Sequence, residues 1–246
     1  MPRQMQIQRY ADRFRLLVFD WDGTLMDSQG RIVACLARAL EETGLPPLPP
    51  ERLSNVIGLG LPEAARQLLP HVHERVVERF IAAYRRHYLS DKGEATPLFP
   101  GARETLQTLR EAGFLLAVAT GKSRRGLARS LEETGCGDLF LASRCADECF
   151  SKPHPQMLQD IMTDLDTPPE QTLMIGDTEY DLLMAANAGT ASVAVSYGVH
   201  ERERLLSHAP LACLDAIEEI VPWLGLDEGP EEADRATGFR DAGREA

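Results

Sequence analysis

The sequence predicts an α/β protein: a doubly wound parallel sheet with a small helical domain inserted after its first strand. Two observations carry this. Short apolar runs at 16–19, 114–119, 139–142, 172–175 and 191–195 lack period-two alternation, as strands covered on both faces do. Helical patterns at 103–112, 155–165 and 180–188 separate most of them, closed by Gly113, by the Pro168-Pro169 pair and by Gly189. Strands alternating with helices favour a parallel sheet with short right-handed crossovers.

The first run, Leu16-Leu17-Val18-Phe19, reads as a buried strand and ends in Asp20-Trp21-Asp22-Gly23-Thr24. Between residues 27 and 96 the rhythm changes. Helical patterns at 31–43, 63–69 and 73–89 occur with no convincing strand, and prolines at 46, 47, 49 and 50 punctuate them. The expected organisation is therefore an α/β core from 1–26 and 97–224, a helical cap from 27–96, and a disordered tail from 225–246. That tail holds seven acidic and three basic residues and few large apolar ones.

Composition excludes several classes. The chain has 246 residues and a formal net charge of −12, so a nucleic-acid partner gains nothing from its overall charge. No apolar stretch is long enough to span a bilayer, and 1–13 lacks the apolar stretch of a signal peptide. The expectation is a cytoplasmic protein with neither membrane nor nucleic-acid partner. The five cysteines form no C-x-x-C pair, so they read as small residues of a reducing compartment and not as zinc ligands.

In open α/β sheets ligands sit beyond the carboxyl ends of the strands. The polar residues there are Asp20, Asp22 and Thr24, then Thr120, Gly121 and Lys122, and then Gly176, Asp177, Thr178, Glu179 and Asp181. A loop before the 155–165 helix adds Ser151 and Lys152. Clustered carboxylates raise one another's pKa unless a cation compensates them. Mg2+ would do so through one or two carboxylates and a substrate phosphate. Lys152 and the Thr120 hydroxyl suit the remaining phosphate oxygens. The set describes a phosphoryl-transfer site.

Asp20-Trp21-Asp22-Gly23-Thr24-Leu25, Thr120, Lys152-Pro153 and Gly176-Asp177-Thr178-Glu179-Tyr180-Asp181, in that order, resemble the four motifs of the haloacid dehalogenase superfamily. The inserted helices resemble the cap of its phosphoglycolate phosphatase-like and β-phosphoglucomutase-like branch. The resemblance implies Asp20 as nucleophile forming an aspartyl-phosphate, and Asp22 as acid and then base. It implies Thr120, Gly121 and Lys152 around the phosphoryl group. Asp20, Asp177 and the Asp22 carbonyl would hold Mg2+, with Asp181 acting through metal-bound water or Lys152.

The activity it implies is a Mg2+-dependent phosphatase acting on a small phosphorylated metabolite. A phosphomutase of the β-phosphoglucomutase type shares all four motifs, and a phospho-acceptor signalling module is the alternative from another class. Substrate choice is expected in the cap. There Gly58, Leu59 and Gly60 form the segment placed to dip into the site, and Arg66 reads as a helix-surface residue. The joints near 27–28 and 96–97 are expected to hinge.

Other patterns are set aside. Glu179 is a first-turn helix charge, and Lys122, Arg124 and Arg125 belong to a solvated helix start, with Lys122 bordering the phosphate. Gly121-Lys122-Ser123 imitates a P-loop end, but that motif needs glycine where Leu116 stands. His71 and His73 would diverge on a helix and read as surface residues.

Overall fold

The computed structural model describes residues 10–90 and 96–226. Most of the acidic tail expected at 225–246 lies outside the described residues. Six parallel strands form one sheet in the order β3-β2-β1-β4-β5-β6. They are β1 (Leu16–Phe19), β2 (Leu115–Thr120), β3 (Ala142–Cys145), β4 (Thr172–Gly176), β5 (Ala191–Val195) and β6 (Cys213–Leu214). β1 is central, with Phe19 in register with Val118 of β2 and Ile175 of β4. Strand order reverses about β1, which opens a crevice at its carboxyl end.

Side-chain alternation along β1 explains its unbroken apolar run. Leu17 and Phe19 enter one core with Leu106 and Leu109, whereas Leu16 and Val18 enter another with Met157, Leu158 and Ile161. Helices cover both faces: α6 (Ala102–Glu111) and α11 (Ile220–Leu224) on the first, α8 (Gln156–Asp164) and α9 (Glu179–Ala188) on the second. The short α1 (Tyr10–Arg13) stacks Tyr10 on Trp223 of α11 at 4.3 Å between centroids. α7 (Arg124–Thr134) follows β2, and α10 (Arg202–Leu206) precedes β6.

Among the described residues, four helices lie between β1 and α6: α2 (Gln29–Glu42), α3 (Pro50–Ser54), α4 (Leu61–Leu68) and α5 (Glu74–Ser90). They share a core of their own. Ile32, Leu36 and Leu40, one turn apart on α2, meet Leu53, Leu68, Val77 and Phe80. The two chain passages joining this helical layer to the sheet run side by side. Met26 bridges Leu98, and Asp27 N–H donates to the Pro97 carbonyl at 3.0 Å.

One expectation needs correction. The third strand, expected at 139–142, begins at Ala142, and 137–139 is a 3-10 turn. Leu139 and Phe140 are apolar because they pack on the core beside Trp21, not because they pair with β2. The true strand is an edge carrying Ser143 and Arg144, so it leaves no apolar run. β6, α3 and α10 were not expected; each is five residues or fewer. Elements that short carry too few residues for a period to show.

Candidate active site

Alternation decides the first motif. Trp21 continues the Leu17–Phe19 side of β1 into the core, where its Nε1 donates to Met26 Sδ at 3.4 Å. Asp20 and Asp22 take the opposite parity, so a single intervening residue brings two carboxylates to the same strand end. Both are buried.

Lys152 joins the carboxylates. Its Nζ donates to Asp20 Oδ1 and to Asp181 Oδ1, each at 2.6 Å, and its side chain is fully buried. Burial works against the ammonium, but Asp181 and Asp20 outweigh it and hold the lysine pKa above its ordinary value. Asp181 Oδ2 accepts from the Thr178 N–H at 3.1 Å and hydroxyl at 2.7 Å, closing a capping box at the start of α9. One carboxylate thus caps a helix and positions the lysine.

Asp177 is equally tied. Thr24 Oγ1 donates to Oδ1 at 2.7 Å, and Val199 N–H donates to Oδ2 at 2.8 Å. Glycine walls it in. A Cβ on Gly23, whose φ is +90°, would stand 2.2 Å from Asp177 Oδ2, and one on Gly198 would stand 2.3 Å from its Cβ. Burial, then the neighbouring Asp181, raises the Asp177 pKa to about 7 despite those hydrogen bonds. Burial also drives Asp20 well above the carboxylate range; Lys152 opposes this, while Asp181 and Asp177 add to it.

Asp20 Oδ2 is the exception to this satisfaction. It is buried and accepts no hydrogen bond, and such an atom costs free energy unless something occupies the space before it. Asp20, Asp177 and Asp181 each offer an oxygen, all within 4.8 Å of one another. An oxygen-only cluster of this kind suits a hard divalent cation.

Asp22 faces a different set of partners. Lys122 Nζ donates to its two oxygens at 2.6 and 2.9 Å, and Ser28 Oγ donates to Oδ1 at 2.5 Å. The same ammonium donates to Tyr88 Oη on α5 at 2.7 Å. Lys122 is 8% exposed, which corrects its assignment to a solvated helix start. It folds back from the β2–α7 turn, where it loses water but gains an anion and a phenol. Arg124 is half-buried against Ser143 and Glu148, and Arg125 alone of the three is exposed. Tyr88 and Ser28 gave no sequence signal, since both read as ordinary helix or turn residues. Thr120 is fully buried at the end of β2, its Oγ1 accepting from Lys122 N–H at 3.2 Å.

The segment around Gly58, Leu59 and Gly60 lies against the strand-end loops. A Cβ on Gly121 would stand 2.5 Å from the Leu59 carbonyl oxygen, and one on Gly58 would stand 3.0 Å from Thr178 Oγ1. Gly60 N–H donates to Ser151 Oγ at 2.8 Å. Between this segment, α2, α5 and the strand ends is a cavity of about 410 Å3, lined by Asp20, Asp22, Thr120, Gly121 and Lys122 on the sheet side. Arg66 is absent from that lining and pairs with Glu63 and Glu74 on the surface. Glu179, in the first turn of α9, pairs with Arg204 and His208 outside the cavity. His71 and His73 are exposed.

The fold is a doubly wound parallel α/β core, and the strand-end carboxylates and buried lysine suit an enzyme that handles phosphate. The chain belongs to the haloacid dehalogenase-like hydrolases, whose family model matches residues 17–195, and it is a phosphatase. It is 35% identical over 212 residues to the probable phosphatase IndB of Dickeya dadantii, covering 84% of this chain and 91% of that one. It is 33% identical over 221 residues to a phosphoglycolate phosphatase of Pseudomonas syringae pv. tomato, covering 87% and 81%. Among solved structures, a "predicted phosphoglycolate phosphatase" from Haemophilus somnus superposes with a TM-score of 0.78 at 25% identity, covering 85% and 97%. Among the described residues no helix is long and apolar enough to cross a membrane.

Proposed function

We propose that this phosphatase hydrolyses a small phosphomonoester through a phosphoryl group carried on Asp20, with Mg2+ as cofactor. The observation that carries the reading is Asp20 Oδ2, buried, unpartnered and at the wall of the cavity. An oxygen so placed is stripped of water and free to attack phosphorus. Asp20 and Asp177 would hold the cation, with Asp181 beside them; bound there, it would neutralise the crowded carboxylates and the phosphate.

The remaining roles fall to this chain's own groups. Lys152, fixed by Asp181, keeps Asp20 Oδ1 occupied and sets positive charge beside the transferring group. Thr120 and the Gly121 N–H border the cavity where phosphoryl oxygens would lie. Asp22, held by Lys122 and Ser28, is the group to protonate the departing oxygen and then to take a proton from the attacking water. The helical layer serves as a cap that excludes bulk water, flexing at the paired passages near Asp27 and Pro97.

Phosphate release measured across small esters, inorganic pyrophosphate and 2-phosphoglycolate, with Mg2+ and with EDTA, tests the reading. Repeated turnover that EDTA and Asp20→Asn both abolish is the expected result. Release that survives Asp20→Asn sinks the nucleophile assignment. Interconversion of two phosphate esters without net release makes the enzyme a mutase.

A further inference from the structure

The carboxylates account for one wall of the cavity, and the facing wall is chemically different. Ile32 and Leu36 of α2, Ile57 and Leu59 of the glycine segment, and Tyr84 and Leu89 of α5 make it apolar. The cations near it are engaged or peripheral. Lys122 is held by Asp22 and Tyr88. Arg66 pairs on the surface with Glu63 and Glu74. Arg85 and Arg125 line the cavity but are exposed to solvent. A two-carbon hydroxy acid would bring a carboxylate against this wall, where among the described residues no buried cation replaces its hydration and only the solvent-exposed Arg85 and Arg125 stand nearby.

The space also exceeds what phosphate and a cation need. A cavity of about 410 Å3 lies in the range of sites that enclose a whole small organic molecule. The buried polar groups of the lining are Asp20, Asp22, Thr120 and Lys122, while Arg85, Ser123, Arg125 and Asp147 are exposed to solvent, so a body held between α2, the 57–61 segment and α5 meets hydrocarbon and aromatic faces.

Resting on the phosphatase reading, we propose that the preferred substrate is the phosphomonoester of an alcohol with a bulky apolar body, a ring or hydrocarbon chain. That body packs between α2, the 57–61 segment and α5. Hydrolysis breaks its O–P bond, with Asp20 taking the phosphoryl group and Asp22 supplying the proton to the departing alkoxide. Water then breaks the Asp20–P bond and releases phosphate.

Ethyl, butyl and hexyl phosphate carry similar phosphate chemistry on bodies of increasing apolar area, and benzyl phosphate carries it on a ring. With Mg2+, kcat/KM is expected to rise about fourfold per methylene from ethyl to butyl phosphate. Benzyl phosphate should exceed 2-phosphoglycolate by about tenfold or more. Leu89→Ala, a partly exposed position on the apolar wall, should lower the hexyl-to-ethyl ratio by about threefold. A flat series with 2-phosphoglycolate fastest, or an unchanged ratio in Leu89→Ala, overturns the proposal. Acetyl phosphate separates the two levels of inference. If its hydrolysis depends on Asp20 while the series is flat, only the substrate class fails; if no compound releases phosphate, the phosphatase chemistry fails with it.

Discussion

The two walls of the cavity are built by opposite rules. On the sheet side, charged groups are buried almost without water and held by short hydrogen bonds from strand ends and helix starts. On the helical side, the same cavity meets Leu36, Ile57, Tyr84 and Leu89, residues whose contacts are non-directional. A rigid polar wall fixes where phosphorus and its nucleophile meet. An apolar wall discriminates by size and shape, and can change side chain by side chain without disturbing the charges opposite. Tyr88 is where the two meet, because its hydroxyl accepts from the lysine that holds Asp22.

Breaking the polar wall should have the largest effect. Asp20→Asn is expected to lower kcat on the order of 10⁴-fold or more while leaving the melting temperature little changed, since Lys152 keeps Asp181. Steady-state phosphate release and a thermal scan on the same preparation check it.

Lys152→Met removes the counterion of two buried carboxylates. It should cost about 3–5 kcal/mol of folding stability, read as a shift of the urea midpoint. Saturating Mg2+ should return part of that loss, because a cation held by Asp20 and Asp177 relieves the same repulsion. An equal loss with and without Mg2+ would place the cation elsewhere.

The junction between the walls comes next. Tyr88→Phe takes one acceptor from Lys122 and should lower kcat about tenfold, by leaving the lysine freer to leave Asp22. KM for a small ester should stay nearly constant. A change confined to KM would make Tyr88 a residue of the apolar wall alone.

The smallest effect lies outside the cavity, at the start of α9. Hydrogen bonds from Arg204 hold the Glu179 pKa at about 2, below its ordinary 4.5, despite partial burial. A depressed folded-state pKa stabilises the protein above about pH 4.5, and the contribution is lost as pH falls toward 2. Glu179→Gln should therefore cost about 1 kcal/mol at pH 7, discounted for its partial exposure, and progressively less in acid. Urea melts at several pH values measure it.

How much of this was legible beforehand depends on the range of the interaction. The central strands were readable because burial on both faces writes itself into every residue of a short run. Asp20 and Asp177 were readable because each follows a strand directly, and Asp22 and Asp181 because they lie within a few residues of them. The edge strand β3 was misplaced because one side of it has no partner, so Ser143 and Arg144 are tolerated there. Lys122 was misassigned because a lysine two residues past a strand ordinarily reaches water. Only the approach of Asp22, a hundred positions earlier, and of Tyr88 from α5 makes burial preferable.

By itself, then, the sequence determined the parallel sheet, the place of the helices that follow its first strand, the strand ends at which Asp20, Asp22 and Asp177 stand, and the loop that carries Lys152. Each of these follows from local periodicity and chain order. The tertiary structure alone decided which cation faces which carboxylate, which oxygen of Asp20 remains without a partner, and that the wall opposite it is apolar. Those outcomes depend on side chains from distant segments excluding water together, and no local pattern encodes that.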